Sequence, residues 1–209
     1  MHPYLIRLGI SLQVQRFFAP YWRTDEKGAL LFEFGDQQEH YGMGYHRVPL
    51  ADTCWIAGDQ QSACSNVFIA YSAMEAICFF ASYHHRFPVR DRLLFIATGG
   101  SLPSEKLCFL LRFANLKVNL IQENSVLGHI WALKLVAAVR QLPLGVYNLP
   151  ENRVRIVFRN HAYDFDATDF SLSRFEKACH YRFKGRFYYP LKHLTFLDAL
   201  KANPFRPNL

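Results

Sequence analysis

The stretch NVFIAYSAMEAICFFA, residues 66–81, decides the fold. Asn66 to Ala70 is a nearly continuous apolar run, the mark of a strand buried on both faces. From Ser72 the period changes. Met74, Ile77, Cys78 and Ala81 fall on one helical stripe, capped by Ser72 and ending near His85 and Pro88. The same order recurs twice. Leu93 to Ala97 is a second buried strand, left through Thr98-Gly99-Gly100 into a helix that Ser104 caps, with Glu105 at its positive end. Leu107, Leu110, Leu111 and Ala114 form the inner face of that helix. Val118 to Ile121 is a third strand and Leu127 to Val139 a third helix, with Leu127, Ile130, Trp131, Leu135 and Ala138 on one stripe and Lys134 at its edge. Such alternation predicts an α/β fold, a mostly parallel sheet flanked by helices with right-handed crossovers.

Upstream, Pro3 to Trp22 reads as two short helices, interrupted at Gly9 to Ser11 by a stop and a fresh N-cap. Ala29 to Phe34, Gly42 to Val48 and Thr53 to Ala57 are short aromatic-rich runs separated by Gly, Asp, Gln and Pro, which predicts a β-meander. Downstream, Val154 to Phe158 and His161 to Phe165 form a hairpin across Arg159-Asn160, and helices over about Ser171–Arg182 and Thr195–Ala202 close the chain. The division expected is residues 1–64 as an N-terminal extension of helices and meander, 65–170 as the α/β core, and 171–209 as a basic helical segment packed on the core.

Composition narrows the class. With 51% hydrophobic and 20% charged residues and no like-charged block, the 209-residue chain is expected to fold as one compact unit rather than stay disordered. Apolar stretches such as Ala76 to Ala81 and Leu135 to Val139 fall far short of the roughly 20 residues of a bilayer span. Met1 to Ile10 does not read as a secretory signal, so a cytoplasmic location and no membrane partner are expected. Cys54, Cys64, Cys78, Cys108 and Cys179 show no Cys-x-x-Cys spacing and read as reduced, mostly buried thiols. The charge is uneven: residues 1–170 hold 16 Lys and Arg against 15 Asp and Glu, and residues 171–209 hold 8 against 2. A polyanion partner, nucleic acid first, follows from that segment; a solvated face that only aids solubility is the plain alternative.

The strand Asn66 to Ala70 leading into Tyr71-Ser72-Ala73-Met74-Glu75, the Gly-rich turn Thr98-Gly99-Gly100-Ser101, and Val118 to Gln122 leading into Glu123-Asn124-Ser125-Val126-Leu127-Gly128 together resemble a Toprim domain, the metal-binding unit of primases and topoisomerases. The front of the chain, Tyr4 to Ser11, Gly28 to Phe34 and Tyr41 to His46, looks like the segment preceding Toprim in bacterial primases and in primase-like proteins of mobile elements. Tyr163-Asp164-Phe165-Asp166 is similar to the Asp-rich motif those proteins carry beyond the core. The resemblance spans roughly residues 1–170.

It implies chemistry by carboxylates that hold magnesium at the carboxyl ends of adjacent strands. Here the catalytic set is degenerate. Tyr71 stands at the family's glutamate, Glu75 at its helix aspartate, and Glu123 and Ser125 at its paired aspartates. Glu123, Asp164 and Asp166 are the remaining candidates for a weak magnesium site, and no other cofactor is expected. Tyr71, Ser72, Gly99, Gly100 and Gly128 would line the cleft. The plain readings are a solvated helix acid for Glu75, a helix N-terminal acid for Glu123, and outward strand positions for Asp164 and Asp166.

Other chemistries are weaker. Cys78 and Cys108 lie in apolar helical surroundings, His84-His85 suits a helix C-terminus, Ser62 has no paired base, and neither a Gly-x-Ser-x-Gly elbow nor a phosphate-binding loop occurs. Arg174, Lys177, Tyr181, Arg182, Lys184, Arg186 and Lys192 mix cations with flat rings, the mixture that follows a phosphate backbone and stacks on bases. Arg174, Lys177 and Tyr181 are expected on one helical face, with Phe175, Cys179 and Phe183 inward. The expected function is a non-catalytic, Toprim-like nucleic-acid-binding protein related to DNA primases and linked to replication or mobile-element transfer, with single-stranded or primer–template DNA as partner. Two alternatives use the same residues: a magnesium-dependent nuclease or nucleotidyl transferase with a rearranged acid set, and an interaction module whose Tyr71 and Gly99-Gly100 cleft holds a protein.

Overall fold

The computed structural model describes residues 1–58, 64, 66–87, 92–102, 104–113 and 115–203, with the side chains of Ser104, Glu105 and Leu107 left aside. The roles read for Ser62, Pro88, Ala114 and those three side chains lie outside the described residues. The chain opens with helices α1 (Pro3–Arg7) and α2 (Leu12–Phe18), divided at Gly9, whose φ is +73°, and restarted by Ser11, whose hydroxyl accepts the Val14 N–H. Strands β1 (Arg23–Thr24), β2 (Leu30–Phe34), β3 (Gln37–Gly42) and β4 (Tyr45–Arg47) then pair in order as an antiparallel meander.

The central run is β5 (Trp55–Gly58), β6 (Asn66–Ala70), α3 (Ala73–Tyr83), β7 (Leu93–Ala97), α4 (Ser104–Leu111), β8 (Lys117–Ile121) and α5 (Val126–Val139). It is followed by β9 (Leu144–Leu149), β10 (Arg153–Phe158), β11 (His161–Asp166), α6 (Leu172–Ala178), β12 (Arg186–Tyr188) and α7 (Phe196–Ala202). The central sheet has the order β12-β8-β6-β7-β5, with the first four strands parallel and β5 antiparallel at the edge.

Alternation along β6 divides the core. Phe68 and Ala70 face a layer built by α1, α2, α3, α7 and the meander, where Phe18, Phe79, Phe95 and Phe196 meet. Val67 and Ile69 face the opposite layer, with Leu120, Leu133, Val136, Phe158 and Phe175. Each fully buried phenylalanine there adds roughly 1.5–3 kcal/mol of transfer free energy. Among the described residues no helix is long and apolar enough to cross a membrane.

Several expectations are corrected. The connector between β2 and β4 is itself a strand: β3 is polar, but Glu39 and Tyr41 turn inward while Gln38 and His40 stay half-buried. The run Thr53 to Ala57 leaves the meander, because its hydrogen-bonding edge is met by β7 of the central sheet. The hairpin of β10 and β11 has the expected register, Phe158 opposite His161, and gains β9 as a third strand. On α5, Leu127 is 74% exposed and Trp131 half-buried, whereas Leu133 and Val136 point into the core. With apolar residues at nearly every position, that helix offers no amphipathic period from which its inner face can be read. Cys78 is buried, but Cys54, Cys64 and Cys179 are half-buried and Cys108 is exposed, so the cysteines are less buried than expected.

The C-terminal segment is not wholly helical. α6 ends at Ala178, and His180 and Lys184 adopt φ of +49° and +54°, a left-handed backbone that no helix continues through. The bend is held by the Glu176 carboxylate, which accepts the Phe183 N–H at 2.9 Å. Residues Arg186–Tyr188 then extend the central sheet alongside β8.

Candidate functional site

Parallel strands bring their carboxyl ends together, and here those ends are Tyr71 after β6, Thr98-Gly99-Gly100 after β7, and Gln122-Glu123 after β8. Tyr71 is half-buried. Burial first, and then the carboxylates of Glu75, Glu123, Glu39 and Asp198, hold its phenol protonated far above the ordinary tyrosine range. Tyr71 thus lies in the field of four carboxylates, two of which, Glu39 and Asp198, come from outside the segments that suggested the site.

Three of these carboxylates are engaged by helix ends. Glu39, 0% exposed, caps α3: its oxygens accept the Ala73 N–H at 2.7 Å, the Met74 N–H at 3.1 Å and the Ser72 hydroxyl at 3.1 Å, and His46 Nε2 lies at 2.8 Å. Ser72 in turn accepts the Glu75 N–H, as the sequence predicts of a cap. Glu75 is 1% exposed, so the reading as a solvated acid is wrong; its oxygens accept the Phe196 N–H at 2.9 Å and the Leu197 N–H at 3.0 Å and so fasten α7 to α3. Burial raises its pKa to about 7, against the opposing pull of those two amides and of His46. Asp198 and Thr195 cap α7 reciprocally, hydroxyl to carboxylate at 2.8 Å and amide to hydroxyl at 3.0 Å.

Removing the Glu39 carboxylate leaves the α3 amides and His46 without their partner in a sealed environment. Glu39→Ala is expected to destabilise the protein by about 3 kcal/mol or more. A urea-denaturation midpoint within experimental scatter of the parent would contradict that role.

At the third tip, Glu123 accepts a hydrogen bond from the Ser125 hydroxyl at 3.3 Å, and Ser125 caps α5 by accepting the Gly128 N–H at 3.0 Å. Gly128 is required for close packing, since a Cβ there would lie 2.3 Å from the Glu123 carbonyl oxygen. The Gly-rich turn is closed by the protein itself: the Gly100 N–H donates to the Pro49 carbonyl at 2.8 Å and the Ser101 hydroxyl to the Ala51 carbonyl at 2.9 Å. Beneath it lies Lys106, 2% exposed, whose ammonium donates to the carbonyls of Thr98 and Ser101. Burial lowers its pKa.

The later acidic motif is elsewhere in the fold. Asp164 on β11 is held by Arg155 through two 2.7 Å contacts and by Arg153 at 3.3 Å, which lowers its pKa, and Asp166 accepts from the amide and hydroxyl of Thr168. Among the described residues no three His, Cys, Asp or Glu side chains form a metal-holding group, so Glu123, Asp164 and Asp166 are not brought together as one. His84 does serve a helix end, its Nδ1 lying 3.0 Å from the Ala81 carbonyl.

In the basic segment, Arg174 pairs with Asp169 at 3.0 Å, while Lys177, Arg182, Lys184, Arg186 and Lys192 are exposed and have no carboxylate partner among the described residues. Phe175 and Phe183 are buried and Cys179 half-buried, as expected. Tyr181 falls beyond the end of α6 and therefore does not share a helical face with Arg174 and Lys177. It is half-buried against Phe158 and Phe183, with the Arg159 guanidinium 4.4 Å over its ring. Tyr189 is exposed, its ring 5.5 Å from that of His129.

Comparison with protein-family models, with curated proteins and with solved structures finds no match to the chain. The fold is that of an α/β protein with a mostly parallel central sheet, near whose strand tips carboxylates are already engaged by helix ends.

Proposed function

We propose that this protein binds nucleic acid without catalysis, as a Toprim-like relative of DNA primases linked to replication or mobile-element transfer, and that it engages single-stranded or primer–template DNA through its basic C-terminal segment. The observation that carries the reading is the set Lys177, Arg182, Lys184, Arg186 and Lys192, exposed and without a carboxylate partner among the described residues, together with the exposed ring of Tyr189 in the same segment. Unpaired cations attract phosphates by releasing counterions, and a flat ring stacks on any base, so the surface suits binding that tolerates sequence. The non-catalytic part is supported by Glu39 and Glu75, whose oxygens already accept main-chain amides inside the protein.

Fluorescence anisotropy with a labelled oligothymidylate tests this. If all five cations meet phosphates, log affinity is expected to fall with log salt at a slope of about −3.5, taking roughly 0.7 per single-strand contact. Affinity independent of salt would refute the proposal.

A further inference from the structure

A different face of the molecule has an open strand edge that most edges of this fold avoid. Among the described residues six strands stand at sheet edges: β1, β4, β5, β9, β11 and β12. Arg23, Arg47 and Arg186 charge three of them, Asp164 and Asp166 charge a fourth, and β5 is only four residues long. Charge and shortness are the ordinary means of keeping an edge from pairing. β9, with the sequence Leu144-Gly145-Val146-Tyr147-Asn148-Leu149, has neither a charge nor a proline over six residues. One side of it pairs with β10; among the described residues nothing pairs with the other.

Alongside β9 runs α5, apolar at nearly every position. Two adjoining grooves of about 510 and 420 Å³ share Leu127 and Ile130 as their common ridge; the first is walled by Trp131, Leu142 and Leu144, the second by Leu149 and Val154. Leu127, 74% exposed, stands on that ridge, and among the described residues Lys134 is the one charged side chain lining the first groove.

We propose that the free edge of β9 and the trough between it and α5 bind an extended segment of a partner protein, added as a strand, with apolar residues at alternate positions and a carboxylate opposite Lys134. The free main-chain donors and acceptors of an edge call for an extended occupant rather than a helix, and the pleat sends alternate side chains of that occupant into the trough. Charge selects the partner. A second copy would set this groove, with Lys134 in it, against a chain carrying the same +7, whereas an acidic segment gains from Lys134 and from that net charge.

The test is selection from a displayed library of roughly ten-residue peptides on the full chain, followed by affinity measurement with synthetic peptides. Enriched peptides are expected to alternate apolar residues and to carry Asp or Glu. Their affinity should fall about tenfold or more on Leu127→Asp, on Lys134→Glu, and on N-methylation of alternate peptide amides. Both side chains are exposed, so unchanged melting temperatures will show that the variants fold. No enrichment, binding indifferent to either substitution, or tolerance of N-methylation would overturn the proposal. So would a parent protein that sediments as a dimer and becomes monomeric with Leu127→Asp, which would make the second copy the occupant.

Discussion

Replacing Arg182, Lys184 and Arg186 together with glutamate is expected to lower affinity for oligothymidylate by about a hundredfold or more at low salt, and to flatten the salt dependence to a slope near −1.4, the share of the two cations left. All three side chains are exposed, so the substitutions remove no buried contact. Arg186 does lie in β12, but its pairing opposite Asn119 is made by the backbone and survives the change. Two readouts separate loss of contact from loss of fold. A folded variant keeps its thermal midpoint while the slope falls; an unfolded one loses the midpoint. Retained affinity with a retained slope would remove the basic segment from the function.

The second large effect concerns Glu75. Its folded pKa, about 7, lies above its ordinary value of 4.5. Between those values the folded state keeps a proton that the unfolded state has released, so stability declines as pH rises through this window, by about 3 kcal/mol in all. Glu75→Gln removes the titration. The difference in unfolding free energy between parent and variant is therefore expected to shift against the parent as pH rises from 4.5 to 7, and to level off above. His2 and His129, whose pKa values burial lowers, pull the other way: below about pH 6.5 the unfolded chain takes up their protons first. They do so equally in both proteins and cancel in the difference. Urea unfolding across this range checks the result; parallel curves would mean that the Glu75 pKa is the same in the folded and the unfolded chain.

The parallel core was legible because its strands are buried on both faces and its helices capped. Runs such as Leu93 to Ala97, and serines such as Ser72 and Ser125, carry that information locally. What escaped depends on tertiary neighbours. Glu39 lies in a polar segment with no apolar period, and only the fold brings it under α3. Glu75 looked like a solvated acid because its partners, the Phe196 and Leu197 amides, are more than a hundred positions away. Lys106 reads as an ordinary helical lysine until the turn after β7 closes over it. The short strand β12 was hidden by the neighbouring helical pattern, and its place is set by the open flank of β8.

That strand has a consequence for synthesis. A ribosome delivers the parallel strands in the order β6, β7, β8, yet the flank of β8 is covered only when Arg186–Tyr188 emerges, and the anchor on α3 waits longer still for Phe196 and Leu197. A nascent chain exposing most of its length thus holds an unfinished sheet and a Glu75 carboxyl without its two amide partners. Long-range closure of this kind is slow and leaves apolar surface bare in the meantime.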